Sequence, residues 1–567
     1  MKKVWKLEES YPRSLDKEFS DFDELTRQLL WRRGIKTSGD AQKFLNPDYG
    51  SLCDPFLIKN MDRAVGRVLE AVAKKEKIII CGDYDADGVC SSSIIAEFFR
   101  TVNYENYEIY IPDRFKEGYG FTDKSADFVF SRQANLVLTV DNGISNYGEI
   151  ESVQKKGIDV VVLDHHIVPE KIPPAWAVVD LYQKGEKYPF LDFCGSGLAF
   201  KFISALLAKG SFGLANGWEK WLLDLVAIGT VADNVALLGE NRTMVYWGLK
   251  VLGKNRRPGI RSIAAKAGLN LSKIISEDIA FLLAPRINVA GRLDHATLAG
   301  QLLLTESADE AEWLAGHLEE KNKERKEAME KIVKFIQSDL AVKALPEVLV
   351  YGNLNWHPGV LGAACSRLAE SFSRTVVLWG KGESREIKAS VRGDGRVNVL
   401  ELVKKAGEEM YSDAGGHPMA AGFSIKEEYL DQLEKRILDA FKKMPQEENI
   451  YSRLVLEKEL LLDEASRKMV EIISRFEPFG QGNPKPVFLF KNLKVEGVRT
   501  FGNGGPHLEF TFKNLANEII PAIGFWTSNG VSPVNKGDKI DLAASLEISN
   551  FKSRDELRLR IADFKKV

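Results

Sequence analysis

Only five cysteines (Cys53, Cys81, Cys90, Cys194 and Cys365) occur in 567 residues, and none stands in a Cys-x-x-Cys spacing. That excludes a disulfide framework and a zinc-thiolate site, and the odd count fits a reducing compartment in which small buried residue is their default role. No long uncharged apolar run is present, so no membrane span is expected. The basic start, Met1-Lys2-Lys3, meets Glu8 and Glu9 instead of the apolar core of a secretory signal, so no export is expected and a cytoplasmic setting is. Net charge is nearly absent as well, with 78 Lys and Arg against 80 Asp and Glu leaving −2. A chain so balanced has no global electrostatic reason to coat nucleic acid, and any affinity for it must come from local patches.

What is there is the composition of a globular chain, 44% hydrophobic and 28% charged, with a length that implies roughly three to four domains. Residues 77–235 read as repeated β-α units, for which a parallel sheet is the natural solution. Its strands at 77–81, 135–140 and 158–163 run directly into acidic or histidine residues, and the carboxyl ends of strands are where α/β sheets build sites. Residues 306–343 read as a long charged helix, and strand-like runs at 347–351, 375–379 and 387–391 open a second α/β domain. Beyond 445–449 the texture changes to strands with turn signals, at 453–460, 487–498, 507–512, 518–525 and 539–548. The expected fold class is therefore α/β. A parallel-sheet catalytic domain (71–305) is preceded by an N-terminal extension packing on the core (1–70); a connecting helix (306–344), a second α/β domain (345–445) and an OB-like β-barrel (446–567) follow.

Asp83, Asp85 and Asp87 alternate immediately beyond the first of those strands, and like charges so close repel unless a cation neutralises them. Alone, the run would read as an acidic turn with a helix cap. Asp141-Asn142-Gly143 and Asp164-His165-His166 follow two further strands, so that three strand ends converge, and adjacent histidines at a sheet edge are costly without something to bind. A fourth carboxylate, Asp233, ends an apolar helix that starts near Trp221. Oxygen and imidazole donors without thiolate point to Mn²⁺ or Mg²⁺ rather than structural zinc. Two such ions about 4 Å apart would suit in-line phosphoryl displacement.

The ordered set GDYDADG, DNG, DHH and VADN resembles the four metal-binding motifs of the DHH phosphoesterase superfamily. The longer matches, including Glu477-Pro478-Phe479-Gly480-Gln481-Gly482-Asn483-Pro484, resemble its branch of single-strand exonucleases from about residue 25 to the end. The resemblance implies Asp85, Asp87, Asp141, His165 and Asp233 as metal ligands. Asp83 and His166 would be ligands or their close partners, and Asp164 would orient a histidine from behind. Asp141, His165, His166 and His417 are implied as catalytic. Relatives often carry His where this chain has Cys81, four residues before Asp85. The stretch Gly415-Gly416-His417-Pro418-Met419-Ala420-Ala421-Gly422 resembles the DHH-associated domain that closes over substrate, and a Gly-Gly-His loop brings backbone N–H groups close to phosphate. By the same likeness Arg292 holds the 5′ phosphate, Arg114, Ser390 and Arg392 contact neighbouring nucleotides, Gly415 and Gly416 bind substrate, and His417 meets the scissile phosphate. Four of the seven histidines, His165, His166, His357 and His417, fall inside these motifs.

The implied activity is 5′ to 3′ exonucleolytic release of mononucleotides from single-stranded DNA, with two Mn²⁺ or Mg²⁺ ions, in DNA repair and recombination. A single-strand-binding protein and a RecQ-type helicase are the implied partners. A narrow cleft between lobes would exclude a duplex, and Phe501, Phe525, Trp526 and Phe551 of the barrel offer stacking surfaces, although core packing is the default for most of them. Two other readings remain. Relatives that hydrolyse cyclic dinucleotides or very short RNAs share the core and the Gly-Gly-His loop but lack the barrel. Non-catalytic DNA-binding scaffolds have lost the ligands, whereas here every expected carboxylate is present.

Overall fold

The computed structural model describes residues 3–382, 386–447, 453–502, 507–525, 534–549 and 555–567. The β-branched runs of the first half form a five-stranded sheet in the order Tyr107–Tyr110, Ile78–Cys81, Leu136–Val140, Asp159–Leu163, Ala177–Val179, with every neighbouring pair parallel. The three middle strands are almost wholly buried, because helices cover both faces. Alternation decides which core each residue joins. Ile78 and Ile80 face the larger one with the helices Ala86–Thr101, Gly195–Lys209 and Leu223–Ala232, while Ile79 and Cys81 face the smaller one with Val129 and Ile150.

Ser307 caps the helix Ala308–Leu340, whose 33 residues span about 50 Å. Its inward stripe begins in the first core with Leu314 and Leu318 and ends in another with Ile332, Val333 and Ile336, so one rigid element belongs to two lobes. The second lobe is a mixed sheet in the order Tyr411–His417, Ala420–Ile425, Ile387–Arg392, Thr375–Gly380, Val348–Asn353, and only the last pair is parallel.

The last unit carries a six-stranded sheet in the order Phe488–Lys494, Lys539–Ser549, Glu556–Lys566, Ile519–Gly524, His507–Lys513, Gly497–Phe501. Three details differ from the sequence reading. The run at 453–460 gives only the strand Arg453–Leu456, which pairs in parallel with Val4–Leu7 outside that sheet. The run at 487–498 splits into two strands, and Glu556–Lys566 was not anticipated. Phe19, Phe22, Leu25, Leu29, Leu30 and Leu45 share one core with Phe488, Phe510 and Leu542, so the N-terminal helices complete the C-terminal unit. Phe501 and Phe525 are half-buried and flank His507, each with ring centroids 5.1 Å from it. Trp526 and Phe551 lie outside the described residues.

A buried arginine fastens this unit to the first. The Arg242 guanidinium donates to the carbonyls of Phe44, Phe476, Glu477 and Pro478, and Leu237 N–H donates to Gln481 O at 2.8 Å. No helix among the described residues is long and apolar enough to cross a membrane.

Candidate metal centre and substrate cleft

The first carboxylate loop is shaped by its own backbone. Asp85 caps the helix Ala86–Thr101 by accepting from Asp87 N–H and Gly88 N–H at 2.9 and 3.1 Å. Asp87 reaches across to the N-terminus of Gly195–Lys209, accepting from Gly195 N–H at 2.6 Å and Ser196 N–H at 2.9 Å. Asp83 is buried, and its Oδ1 has no hydrogen-bond partner. Asp141 ends its strand in the left-handed region, φ 63°, and lies 3.0 Å from His165 Nε2. His165 Nε2 is also 4.0 Å from Asp87 Oδ2 and 3.8 Å from Asp233 Oδ2. Asp164 accepts from Ile144 N–H, His165 N–H and the His166 ring at 2.9, 2.8 and 2.7 Å. Its support from behind therefore goes to the His166 imidazole and to the His165 backbone.

Three groupings of donor atoms result, each gathered within 4.8 Å: Asp141 with His165 and His166, Asp87 with His165 and Asp233, and Asp83 with Asp85 and Asp141. Their electrostatics are those of a cation site. Burial, then the neighbouring carboxylates, drives Asp83 and Asp141 well above the usual range, raises Asp85, and pushes Asp233 up to about 8. Burial lowers His165, whereas the bond to Asp164 overcomes the burial of His166 and holds it at about 9. The orphaned Asp83 oxygen and a donor set of oxygen and imidazole without thiolate fit hard divalent ions, so these residues suit a metal that neutralises them. Cys81 is buried beneath this cluster, and burial alone raises its thiol.

Two supporting groups escaped the motifs. Asp180 follows the strand Ala177–Val179, is fully buried with one oxygen unpaired, and is pushed up by its burial to about 7. Arg257 donates to Glu97 and Asp224, both at 2.7 Å. It thereby ties the helix behind Asp85 and Asp87 to the helix that ends at Asp233. Arg257→Met would leave the buried Asp224 without an ion pair among the described residues and Glu97 with Arg100 alone, and a loss of about 3–5 kcal/mol is expected in denaturant melts. A loss under about 1 kcal/mol would show that this pair bears no weight.

On the substrate side Gly291 is required by contact, since a Cβ there would meet Tyr84 O at 2.4 Å. The turn carrying Arg292 thus lies against the Asp83–Asp87 loop. Gly359, at the start of the helix Pro358–Phe372, would with a Cβ meet Arg292 O at 2.3 Å, so this turn also touches the second lobe. Arg114 lies over the Tyr84 ring at 4.9 Å, and the Arg392 guanidinium donates to its neighbour Val391 O. Ser390 and Arg392 share the strand Ile387–Arg392 beside the helix that begins at Pro358. Gly415, Gly416 and His417 stand exposed on the edge strand Tyr411–His417, and no hydrogen bond or ion pair among the described residues joins His417 to the carboxylates.

A parallel sheet with carboxylates and histidines gathered at its strand ends, beside a turn bearing Arg292 that also touches the second lobe, is the arrangement of a phosphoesterase of the DHH class. The family models agree: the DHH family N-terminal domain matches residues 77–230, the DHHA1 domain 327–443 and the RecJ OB domain 456–563. The chain is 32% identical to the single-stranded-DNA-specific exonuclease RecJ of Bacillus subtilis strain 168, covering 95% of this chain and 67% of the relative. It is 31% identical to RecJ of Haemophilus influenzae, covering 95% of each. The structure of RecJ from Thermus thermophilus in complex with Mn²⁺ superposes with a TM-score of 0.83 at 27% identity, over 99% of this chain and 79% of that one; the same protein is also known in complex with Mg²⁺. This chain belongs to the RecJ family.

Proposed function

We propose that the chain is a metal-dependent exonuclease that degrades single-stranded DNA from its 5′ end and releases mononucleotides, in DNA repair and recombination. The observation that carries this reading is the placing of Arg292 on a turn wedged between the carboxylate loop and the second lobe, so that an anion held there lies next to the candidate metal centre. The relatives are named for action on single-stranded DNA, and those of solved structure hold Mn²⁺ or Mg²⁺.

Asp83, Asp85, Asp87, Asp141, His165 and Asp233 would hold the ions, two in number, and His166 completes one grouping. When bound, such ions neutralise charge on the attacking and leaving oxygens of a phosphodiester. The chain's own residues supply the rest. Asp164 fixes the His166 ring, the Asp85 cap sets the loop, and Arg114, Arg292, Ser390 and Arg392 bind the phosphates at the strand terminus. Gly415, Gly416 and His417 are assigned to the scissile phosphate, where the exposed hairpin leaves them free to meet it. The five cysteines are free, as a cytoplasmic setting requires, and a single-strand-binding protein and a RecQ-type helicase belong to the same reading as partners.

Single-stranded DNA labelled at its 5′ or its 3′ end, incubated with Mn²⁺, tests the polarity. Immediate mononucleotide release from the 5′ label is expected. Early release from the 3′ label would reverse the polarity, and cleavage confined to cyclic dinucleotides or dinucleotide RNA would replace the substrate.

A further inference from the structure

Between Glu240 and Glu277 the chain has no acidic residue but eight basic ones, although its charges balance over the whole length. Four of the eight are committed within the fold. Arg242 holds backbone carbonyls, Arg257 pairs with Glu97 and Asp224, Lys266 with Glu312, and Lys273 with Asp555. Lys250, Lys254, Arg256 and Arg261 are exposed, and none has a carboxylate within ion-pair distance among the described residues. A stretch so one-sided leaves a local excess of positive charge on the first lobe, which is what nucleic-acid affinity requires of a chain without net charge.

These cations rest on aromatic rings. The Arg256 guanidinium lies 5.0 Å from the centre of the Trp221 ring, and Lys250 Nζ lies 4.1 and 4.4 Å from those of Tyr246 and Trp247. Lys220 Nζ, also without an ion pair among the described residues, lies 4.5 Å from the centre of Tyr49. Lys254 stands in the turn between Lys250 and Arg256, where its N–H donates to Val251 O at 3.0 Å. Trp247 Nε1 donates to Pro47 O at 3.0 Å and so ties the segment bearing Tyr49 to the helix Gly239–Leu252. Cations at the C-terminal end of that helix complement its dipole, which accounts for Lys250 and Lys254 but not for Lys220, nor for the rings. The face is also remote from the candidate metal centre. Trp221 precedes the helix Leu223–Ala232 and Asp233 follows it, so about 15 Å of helix separates the two.

We propose that Lys220, Lys250, Lys254 and Arg256 form a second nucleic-acid site, which binds the phosphate backbone of duplex DNA flanking the single strand. Tyr49, Trp221, Tyr246 and Trp247 each already carry a cation on one ring face, so the surface offers fixed charges rather than stacking planes. That suits phosphates, of which a duplex presents one per about 1.7 Å of axis, better than it suits unpaired bases. The inference rests on the exonuclease reading for its use: a cleft that admits one strand stays at a junction when another face of the enzyme takes the duplex.

The test is binding of the full chain to a blunt-ended labelled duplex and to labelled oligothymidylate, measured by fluorescence anisotropy without divalent metal at 50 and 200 mM KCl. Duplex affinity of the native protein should fall about a hundredfold between the two salts, the scale of four phosphate contacts, and that of the triple variant Lys250→Gln/Lys254→Gln/Arg256→Gln only about threefold. Oligothymidylate binding should be the same in both proteins. If the triple variant melts early, Lys254→Glu carries the comparison, since its side chain makes no hydrogen bond or ion pair among the described residues. That single change should shrink the salt effect on duplex binding about three- to fourfold. An unchanged salt effect, or equal weakening on duplex and single strand, overturns the proposal. So does loss of polyglutamate binding with duplex binding intact, which would assign the face to an acidic protein segment. Because the measurement needs no cleavage, it decides the role of this face even for a protein that degrades no DNA, an outcome that would sink the exonuclease reading instead.

Discussion

Asp141→Asn is expected to lower Mn²⁺-dependent nucleotide release from single-stranded DNA on the order of a thousandfold, well past the 10- to 100-fold typical of groups that only orient a ligand. Asp141 belongs to two of the three donor groupings and lies 3.0 Å from His165, so its charge is shared by more of the centre than that of any other carboxylate there. Asparagine tolerates the left-handed backbone at this position, φ 63°, which keeps the local fold. It also removes one negative charge from a buried cluster whose carboxylates repel one another, so the metal-free variant should melt at or above the native temperature. Near-native cleavage by the variant would remove Asp141 from the metal centre, and a lowered melting temperature would show that fold, not chemistry, had been lost.

Metal removal should act on stability as well as on activity, with a definite dependence on pH. Burial, then Asp87 and Asp85, raises Asp233 to about 8, far above its value in an unfolded chain. A carboxyl raised in this way carries no penalty while it is protonated. In the metal-free protein the penalty therefore grows as pH rises from about 4 and is complete above about 8. Divalent ions bind only the deprotonated form, so protons compete with them below that range and affinity climbs through it. The rise in melting temperature on adding Mn²⁺ should accordingly be several degrees larger at pH 8.5 than at pH 6, and a chelator should abolish cleavage at both. A melting shift that is flat or shrinks with rising pH would mean that these carboxylates do not hold the metal.

The parts of this architecture that sequence exposes are the local ones. A strand such as Ile78–Cys81 is followed at once by its carboxylates, and the pattern repeats at Asp141 and Asp164, so three strand ends could be aligned without knowing the fold. Asp180 terminates a strand of the same sheet, but that strand has three residues and a lone aspartate after it carries no spacing signal. Arg257, Glu97 and Asp224 meet only through the packing of helices far apart in sequence, and nothing near any one of them points to the others. The last unit was legible in its alternating strands, and Glu556–Lys566 carries the same signal, since Leu557, Leu559 and Ile561 alternate with Arg558 and Arg560, although the sequence reading stopped short of it. Its partners at the other end of the chain were not, because amphipathic helices such as Glu24–Arg32 show that a face is covered without showing by what.

That shared core has a consequence during synthesis. Phe19, Phe22, Leu25, Leu29 and Leu30 emerge early, yet the residues that cover them, from Leu460 onward, follow only after more than four hundred others. At about 5–20 residues per second the wait is roughly 20–80 s. Throughout it the nascent chain carries a half-built apolar surface at its leading end, while the parallel sheet behind it can already close. The chain therefore matures from its middle outward, and the helices that carry Leu25 to Leu45, made before the sheet, are among the last to find their place.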